Sequence, residues 1–373
     1  MKKNTSWIKV ALLNIVITFS LLGVLFFLPP FGNLAYKVLF EDSNFGIDKR
    51  ANLPNYKELK WANKHFKELS ELKTTYFDYI TWRKDDYSGE TINIVDGLRR
   101  TVEVKKELND IKKVFWFFGG STTWGSGVDD ANTYPSIFSS LTGLDSLNFG
   151  ESGYVARQSL SSLQSEYISK NRITQKKRVI VFYDGVNDVS NNCLKGMSEL
   201  DTPMEIKIRK AIKASEDGLS FHSTFKQLIL FFNFVLERIK SQSDEFFDCS
   251  SNDVKANLVA DSLVNTWTQA AKLAEGNGDT FVAILQPVAF IGKPNTSYLN
   301  LEDTYSKQIK IEYEKLYPII SRKAEKANLI FLNLTDVYDD CEMCYIDFCH
   351  VSPNGHKILV TKLIDILTEM KML

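Results

Sequence analysis

Residues 114–125 read VFWFFGGSTTWG, a short apolar run that passes directly into two glycines and a serine. A continuous run of bulky apolar residues is typical of a strand buried on both faces of a parallel sheet. The sequence therefore predicts a buried strand that feeds a glycine-rich turn with Ser121 exposed on it. Taken alone, this turn is equally well explained as an ordinary strand-to-helix connection. A phosphate-binding loop is excluded, because no Gly-Lys-Ser/Thr follows the glycines.

The alternation of short apolar runs and longer helical patterns continues along the chain. Further strands are predicted at 144–148, 178–183, 280–286 and 329–333. Helices are predicted at 134–141, 158–169, 254–274, 305–327 and 353–370. This order predicts an α/β fold with a three-layer, doubly wound, five-stranded parallel sheet. Because ligands bind at the carboxyl ends of such strands, we expect the functional site in the loops that follow them.

Three other polar segments lie where that site is expected. The second strand ends in NFGESG at 148–153, and the third ends in YDGVND at 183–188. Near the carboxyl terminus stands DFCHVSPNGH at 347–356. Each segment has an ordinary explanation, since Asn and Gly are common turn residues. Their order along the chain, together with the serine loop, favours a shared site.

This set of four segments resembles the motif blocks of the SGNH (GDSL-like) hydrolase superfamily. The resemblance covers residues 113–370 and implies a flavodoxin-like SGNH fold with a nucleophilic serine. It implies that Ser121 is the nucleophile and that Asp347 and His350 are its partners. It also implies an oxyanion hole made by the backbone N–H groups of Ser121 and Gly153 and by the side chain of Asn187.

One departure from the family pattern concerns the residue before the nucleophile. The usual Gly-Asp-Ser is here Gly119-Gly120-Ser121. The missing acidic residue is not one of the three residues that take part in catalysis, so activity is still expected. The departure leaves open to which subfamily the chain is similar. The chain resembles membrane-anchored bacterial branches near polysaccharide-building enzymes, a likeness that extends to residues 79–83 and 96–99.

Elementary chemistry supports the same assignment. A serine hydroxyl is a weak nucleophile until a base removes its proton, and histidine titrates near neutrality. Asp347 stands three residues before His350 and can orient the imidazole and stabilise its cation. His356 is the competing base, but it follows Pro-Asn-Gly and is expected inside the last helix, facing away. We therefore expect His350 to be the base.

The amino-terminal segment predicts a membrane anchor. No charged residue occurs from position 10 to position 36, and about 20 apolar residues suffice to cross a bilayer. A cleavable signal peptide is the alternative, but its apolar region is shorter and ends in small residues, whereas this one ends in FFLPP at 26–30. The span is preceded by Lys2, Lys3 and Lys9. Because basic residues tend to stay in the cytoplasm, these lysines predict a cytoplasmic amino terminus and an extracytoplasmic position for the rest of the chain. We expect a single-pass protein of a bacterial inner membrane with its catalytic domain outside the cytoplasm.

These features divide the chain into three parts. Residues 1–36 form the tail and anchor, 37–110 a juxtamembrane segment with short helices, and 111–373 the hydrolase domain. The hydrolase domain is expected to contain a helical insertion at about 190–250, where the alternation stops. The net charge of −1 gives no indication of nucleic-acid binding. The four histidines form no cluster with metal-ligand spacing, so we expect neither a metal nor a cofactor.

Five cysteines fit an oxidising compartment. Cys341, Cys344 and Cys349 crowd one segment, whereas Cys193 and Cys249 are distant from it. We expect one or two disulfides, at least one of them involving the crowded group. Zinc binding at Cys341-x-x-Cys344 and free thiols are the alternatives.

The predicted function is a serine-dependent acyl ester hydrolase that removes O-acetyl groups from a bacterial surface glycan. The partners expected are an acylated carbohydrate or another ester, and the membrane. One alternative is an O-acyltransferase, since a sugar hydroxyl can replace water as the acceptor. Another is a catalytically silent glycan-binding or assembly protein that retains the fold.

Overall fold

The computed structural model describes residues 48–103, 113–169, 177–216 and 246–373, and Asn14 and Thr18 of the amino-terminal segment. The chain divides into two compact units, one of residues 1–46 with 208–244 and one of residues 47–207 with 245–373. The sheet and the candidate site belong to the second unit. The predicted anchor at 10–36 lies outside the described residues, apart from those two positions. Across the described ranges, no helix has the length and apolar character needed to cross a membrane.

The second unit is built on a large mixed sheet. Its strands are β3 (Tyr87–Ser88), β4 (Asn93–Val95), β5 (Leu98–Arg99), β6 (Lys113–Gly119), β7 (Asp145–Asn148), β8 (Lys177–Asp184), β9 (Thr280–Leu285) and β10 (Ile330–Asn333). Their order across the sheet is β10-β9-β8-β6-β7-β5-β4-β3. Strands β1 (Thr74–Phe77) and β2 (Thr81–Lys84) form a separate antiparallel pair.

This topology differs from the predicted five-stranded parallel sheet in the number and the direction of its strands. Strands from β10 to β7 in that order are parallel, but β5 pairs with β7 antiparallel, and β4 and β3 continue antiparallel to the edge. The sheet is therefore eight-stranded and mixed. The three additional strands come from residues 87–99, where two- and three-residue strands are too short to produce a readable alternation.

Helices cover both faces of the sheet. They are α1 (Ala62–Glu71), α2 (Ser121–Trp124), α3 (Tyr134–Thr142), α4 (Ala156–Ser169), α5 (Val186–Asn192), α6 (Pro203–Glu216), α7 (Asp253–Gly276), α8 (Thr304–Lys326) and α9 (Pro353–Glu369). Along β6, Trp116 and Phe118 pack with α4, α7 and α8, whereas Phe115 and Phe117 pack with α3 and α9. Because successive side chains of a strand point to opposite faces, this apolar strand contributes to both cores.

The expected helical insertion is described only at its two ends. Helix α6 lies within the predicted range of the insertion, and residues 217–245 lie outside the described part. The two ends are joined by a disulfide between Cys193 and Cys249 and by a bridge between Leu194 and Phe247. Residues 193–194 and 247–249 of the second unit therefore lie side by side.

The segment before β6 packs on the carboxyl-terminal loop. Ala51, Tyr56, Ala62 and Phe66 form a buried cluster with Ile346, which comes just before Asp347. Asn55 Nδ2 donates to the carbonyl of Tyr345 at 2.9 Å. These contacts place residues 48–66 beside one of the predicted motif blocks.

Candidate active site

Ser121 begins helix α2 directly after the central strand β6. The turn before it requires glycine, because Gly119 has φ of +151° and a Cβ there would lie 2.3 Å from the carbonyl oxygen of Tyr183. The backbone N–H of the first helical residue has no partner inside its helix. The serine is thus placed at the carboxyl edge of the sheet, at the amino-terminal end of helix α2.

His350 and Asp347 lie beside this serine. His350 Nε2 is 2.6 Å from Ser121 Oγ, and His350 Nδ1 is 2.7 Å from Asp347 Oδ2. Asp347 Oδ1 accepts the backbone N–H groups of His350 at 2.7 Å and of Cys349 at 3.0 Å. The structure therefore brings Asp347 and His350 beside Ser121, although Ser121 and His350 are 229 positions apart in the sequence.

Asp347 also contacts a cation that the sequence analysis did not identify. Arg50 Nη1 donates to Asp347 Oδ2 at 3.0 Å, and Arg50 Nη2 lies 2.8 Å from Asp48 Oδ2. Burial raises the pKa of Asp347, but the charges and hydrogen bonds of His350 and Arg50 outweigh it and hold that pKa well below its usual range. Asp347 is consequently an anion at any pH at which the protein is expected to work.

His356, the alternative base, lies elsewhere. It is fully buried in α9 and stacks on Tyr134 with the ring centroids 6.0 Å apart. Burial, with smaller contributions from His350 and Arg99, lowers the pKa of His356 to about 3. Its imidazole is therefore a neutral core side chain, and His350 is the histidine beside Ser121.

The side chain of Asn187 and the loop that carries Gly153 lie near Gly120. A Cβ added to Gly120 would lie 2.4 Å from Asn187 Nδ2 and 3.5 Å from the carbonyl oxygen of Tyr154. Asn187 Nδ2 donates to that same carbonyl at 2.8 Å. Gly153 immediately precedes Tyr154 and has φ of +80°, a conformation that favours glycine. The loop after β7 and the start of α5 thus meet at the residue that precedes Ser121.

Buried carboxylates hold the start of α5, which carries Asn187. Asp188 accepts the backbone N–H groups of Ala156 at 3.0 Å and Gly185 at 3.2 Å. Asp184 accepts the indole N–H of Trp267 at 3.1 Å. Burial raises the pKa of Asp188 to about 6, and burial and then the neighbouring Asp188 raise the pKa of Asp184 well above its usual value. The hydrogen bonds of Asp184 and Asp188 therefore join the segment around Asn187 to buried residues of the core.

Gln286 joins the helix that begins at Ser121 to the loop that carries His350. No motif of the sequence indicated this residue. Gln286 Nε2 donates to Thr122 Oγ1 at 2.8 Å, and Thr122 Oγ1 donates to the carbonyl of Cys349 at 3.3 Å. Gln286 directly follows β9, so its position at a strand end was the available signal. Arg50 gave no such signal, because it lies outside the alternating pattern.

The cysteines form two disulfides, Cys193–Cys249 and Cys341–Cys344, and Cys349 is a buried thiol. The prediction of a disulfide in the crowded group is confirmed. The zinc alternative is wrong for Cys341 and Cys344, because their sulfur atoms are bonded to each other. Within the described ranges, ligand atoms of Asp347, Cys349 and His350 lie within 4.8 Å of one another. Burial, followed by the charge of Asp347, raises the pKa of Cys349 well above its usual value, which opposes the thiolate that metals require.

No protein-family model and no curated protein matches this sequence. Several solved structures are similar to it. A lipolytic G-D-S-L family protein from Veillonella parvula is 11% identical, with 69% of this chain and 98% of that chain covered and a TM-score of 0.39. A GDSL-like lipase from Bacteroides thetaiotaomicron is 15% identical, with coverages of 71% and 91% and a TM-score of 0.38. A carbohydrate acetylesterase family member from Sinorhizobium meliloti is 12% identical, with coverages of 70% and 99% and a TM-score of 0.38.

Proposed function

We propose that this protein is a serine-dependent acyl ester hydrolase of the SGNH type. The observation that carries the proposal is the continuous hydrogen-bonded chain from Ser121 through His350 to Asp347, with separations of 2.6 and 2.7 Å. Acyl transfer needs side chains in three roles, namely a nucleophile, a base and a group that orients the base. The four-block resemblance of the sequence to SGNH hydrolases supports the same assignment.

In the first half of the reaction, His350 Nε2 accepts the proton of Ser121 Oγ while that oxygen attacks the ester carbonyl carbon. Asp347 holds Nδ1 as the protonated nitrogen and stabilises the imidazolium that forms. When the tetrahedral intermediate collapses, the bond from the carbonyl carbon to the alkoxy oxygen breaks. His350 gives the proton to the leaving alcohol, and the acyl group remains on Ser121.

The negative charge of the tetrahedral intermediate needs hydrogen-bond donors that are already in place. We assign this role to the N–H groups of Ser121 and Gly153 and to the amide of Asn187. A side-chain amide has two N–H donors, and Asn187 uses one on the carbonyl of Tyr154. The other serves the substrate oxygen. In the second half, His350 takes a proton from water while the water oxygen attacks the acyl carbon. The bond from that carbon to Ser121 Oγ then breaks, His350 returns the proton to Ser121, and the carboxylic acid leaves.

For the substrate we propose an O-acetylated bacterial surface glycan. This proposal rests on the expected position of the domain outside the cytoplasm, where surface glycans lie. The acyl-serine can also pass its acyl group to a sugar hydroxyl, and the residues named above serve either acceptor. Acetate released into water supports hydrolysis, whereas acetyl groups gained by an unacetylated glycan support O-acyltransfer.

We also propose that residues 10–36 anchor the protein in a bacterial inner membrane with residues 37–373 outside the cytoplasm. The support is the uncharged run and the three lysines that precede it. Alkaline phosphatase and a fluorescent protein, each fused after Leu373, test the orientation. Phosphatase activity is expected, and fluorescence without phosphatase activity contradicts it.

A fluorophosphonate probe tests the enzymatic assignment on the full-length protein. We expect the probe to label the wild type at Ser121 and to leave Ser121→Ala unlabelled. Ser70→Ala is the matched control, because Ser70 is an exposed helical serine whose hydroxyl donates to the carbonyl of Lys67, and labelling should persist. Ser121→Ala and His350→Ala should each reduce aryl acetate hydrolysis by about 1,000-fold or more, without adding in the double variant. Full activity in folded Ser121→Ala protein would overturn the serine-hydrolase assignment, and an unlabelled wild type would favour the catalytically silent alternative.

A further inference from the structure

The carboxylate of Asp347 is held from two sides. Its Oδ2 atom accepts His350 Nδ1 at 2.7 Å and Arg50 Nη1 at 3.0 Å. Its Oδ1 atom accepts two backbone N–H groups of its own loop. Arg50 is 297 residues away in the sequence and comes from the segment before the four motif blocks. The resemblance that identified the other site residues does not reach it.

Arg50 is itself held in place. Its Nε and Nη2 atoms donate to the carboxylate of Asp48 at distances between 2.8 and 3.2 Å. Its guanidinium lies over the ring of Phe66, 5.1 Å from the centroid. Only 27% of the Arg50 side chain is exposed, so its charge acts on Asp347 with reduced screening. A guanidinium shared between two carboxylates has little freedom to move away from either.

We propose that Arg50 is a positioning residue for the reaction at Ser121, because it fixes the orientation of the Asp347 carboxylate and balances its charge. This inference rests on the proposed function. A carboxylate with one fixed oxygen can still turn the other away from the histidine ring. The donor from Arg50 approaches the oxygen that faces His350 and prevents this rotation, so that the imidazole keeps Nε2 directed at Ser121.

The charge of Arg50 has a second consequence. Without it, the full negative charge of Asp347 would act on His350. The other titratable and charged groups around this pair are Asp48, Tyr56, Cys349 and His356. Three of these are neutral near pH 7 and Asp48 is already paired with Arg50. The cation therefore offsets the charge of Asp347 at the oxygen that faces His350.

Kinetics of full-length Arg50→Met and Arg50→Lys proteins on an aryl acetate test the inference. For Arg50→Met we expect kcat to fall by about 10- to 100-fold with little change in KM, as for a small displacement of a reacting group. The acid limb of the kcat/KM profile should move to higher pH by about half a unit or more. Arg50→Lys keeps the charge and should retain the acid limb while recovering part of kcat.

Asn55→Ala is the matched control. Asn55 binds the carbonyl of Tyr345 in the same loop but does not contact Asp347, so its loss should lower stability without moving the acid limb. If Arg50→Met does not fold, the same profile measured on Arg50→Gln decides, since glutamine removes the charge and keeps a donor. An unmoved acid limb and an unchanged kcat in a folded Arg50 variant would overturn the inference. If Ser121→Ala abolishes activity in the same assay, that result leaves the proposed function standing, whereas an active Ser121→Ala protein removes both.

Discussion

The ammonium group of Lys84 contacts the carboxylate of Glu151, and both side chains are more than 90% buried. Glu151 also accepts the backbone N–H groups of Lys84 at 2.8 Å and Ser152 at 2.7 Å. Next to this pair, the indole N–H of Trp82 donates to the carbonyl of Ser152 at 3.0 Å. Strand β2 therefore binds the loop that carries Gly153, one of the proposed oxyanion donors.

Removal of one partner of this pair should be costly, because it leaves the other charge buried. We expect Lys84→Met or Glu151→Gln to lower the free energy of unfolding by about 3–5 kcal/mol. The double variant should lose less than the sum, since the two neutral side chains no longer leave a buried charge. Equilibrium denaturation of the four proteins measures this coupling.

The exposed pair Lys310–Glu314, whose charged atoms are 3.8 Å apart, is the control for the double-mutant comparison of Lys84 and Glu151. Its removal should change stability by less than about 0.5 kcal/mol. Additive effects at Lys84 and Glu151 would show that the buried contact does not stabilise the loop. Turnover should fall in Lys84→Met as the Gly153 loop loosens.

The oxyanion assignment predicts the effect of two nearby substitutions. Asn187→Ala should reduce kcat by about 100- to 1,000-fold with little change in KM. Gly120→Ala should cause a comparable loss, because its Cβ would lie 2.4 Å from Asn187 Nδ2 and displace the amide. Gly276→Ala is the control, since a Cβ there meets nothing within 4 Å. Unchanged turnover in Asn187→Ala would remove this residue from the oxyanion hole.

Two buried histidines predict how stability depends on pH. Burial, then neighbouring positive charge, lowers the pKa of His356 to about 3 and that of His65 to about 2. In the unfolded chain the pKa of histidine is near 6.5. Between that pH and about 3, the unfolded state therefore binds protons that the native state does not bind. Stability should therefore be complete above about pH 6.5 and decrease as the pH falls below it.

Urea denaturation at pH 7.5 and pH 5 checks this direction. His356→Gln should remove about 2 kcal/mol of the difference between the two pH values, and His65→Gln a similar amount. Turnover of His356→Gln near neutral pH should remain close to that of the wild type. Loss of turnover in His356→Gln, together with an active His350→Ala protein, would show that the base has been misassigned.

The cysteine pairing predicts a simple alkylation result. Protein unfolded without reductant should carry one alkylated cysteine, Cys349, and five after reduction. Mass spectrometry counts the modified thiols, and five before reduction would contradict both disulfides. Replacement of Cys193 and Cys249 by serine should lower stability by about 4 kcal/mol, because that bond closes a long loop. The same change at Cys341 and Cys344 should cost about 2 kcal/mol, because that loop is very short.

Local pattern indicated the parallel strands, and the resemblance to the SGNH motif blocks indicated Ser121, Asp347 and His350 as candidate site residues. The buried run at 114–118 and the loop at 119–121 were legible because a strand inside a sheet must be apolar on both faces and the turn after it needs glycine. The motif blocks could be placed at one edge because parallel strands all end there. The separation of His350 from His356 was also predictable, since a helix following Pro353 directs His356 into the core.

The eight-stranded sheet was not predictable in the same way. Strands β3 to β5 have two or three residues each, and they form only because an existing edge of the sheet offers them partners. Backbone hydrogen bonding to a preformed strand requires no side-chain periodicity. The sequence of residues 87–99 therefore lacks the signal that longer strands carry.

The sequence by itself indicated Ser121, His350 and Asp347 as candidate site residues, because they lie in short segments that resemble the SGNH motif blocks. Only the tertiary structure decided that Arg50 pairs with Asp347, that Lys84 pairs with Glu151 and that Gln286 joins Thr122. Each of these contacts joins residues that are far apart in the chain. An ion pair or hydrogen bond between distant positions depends on where the folded backbone places both partners, and no local pattern records that distance.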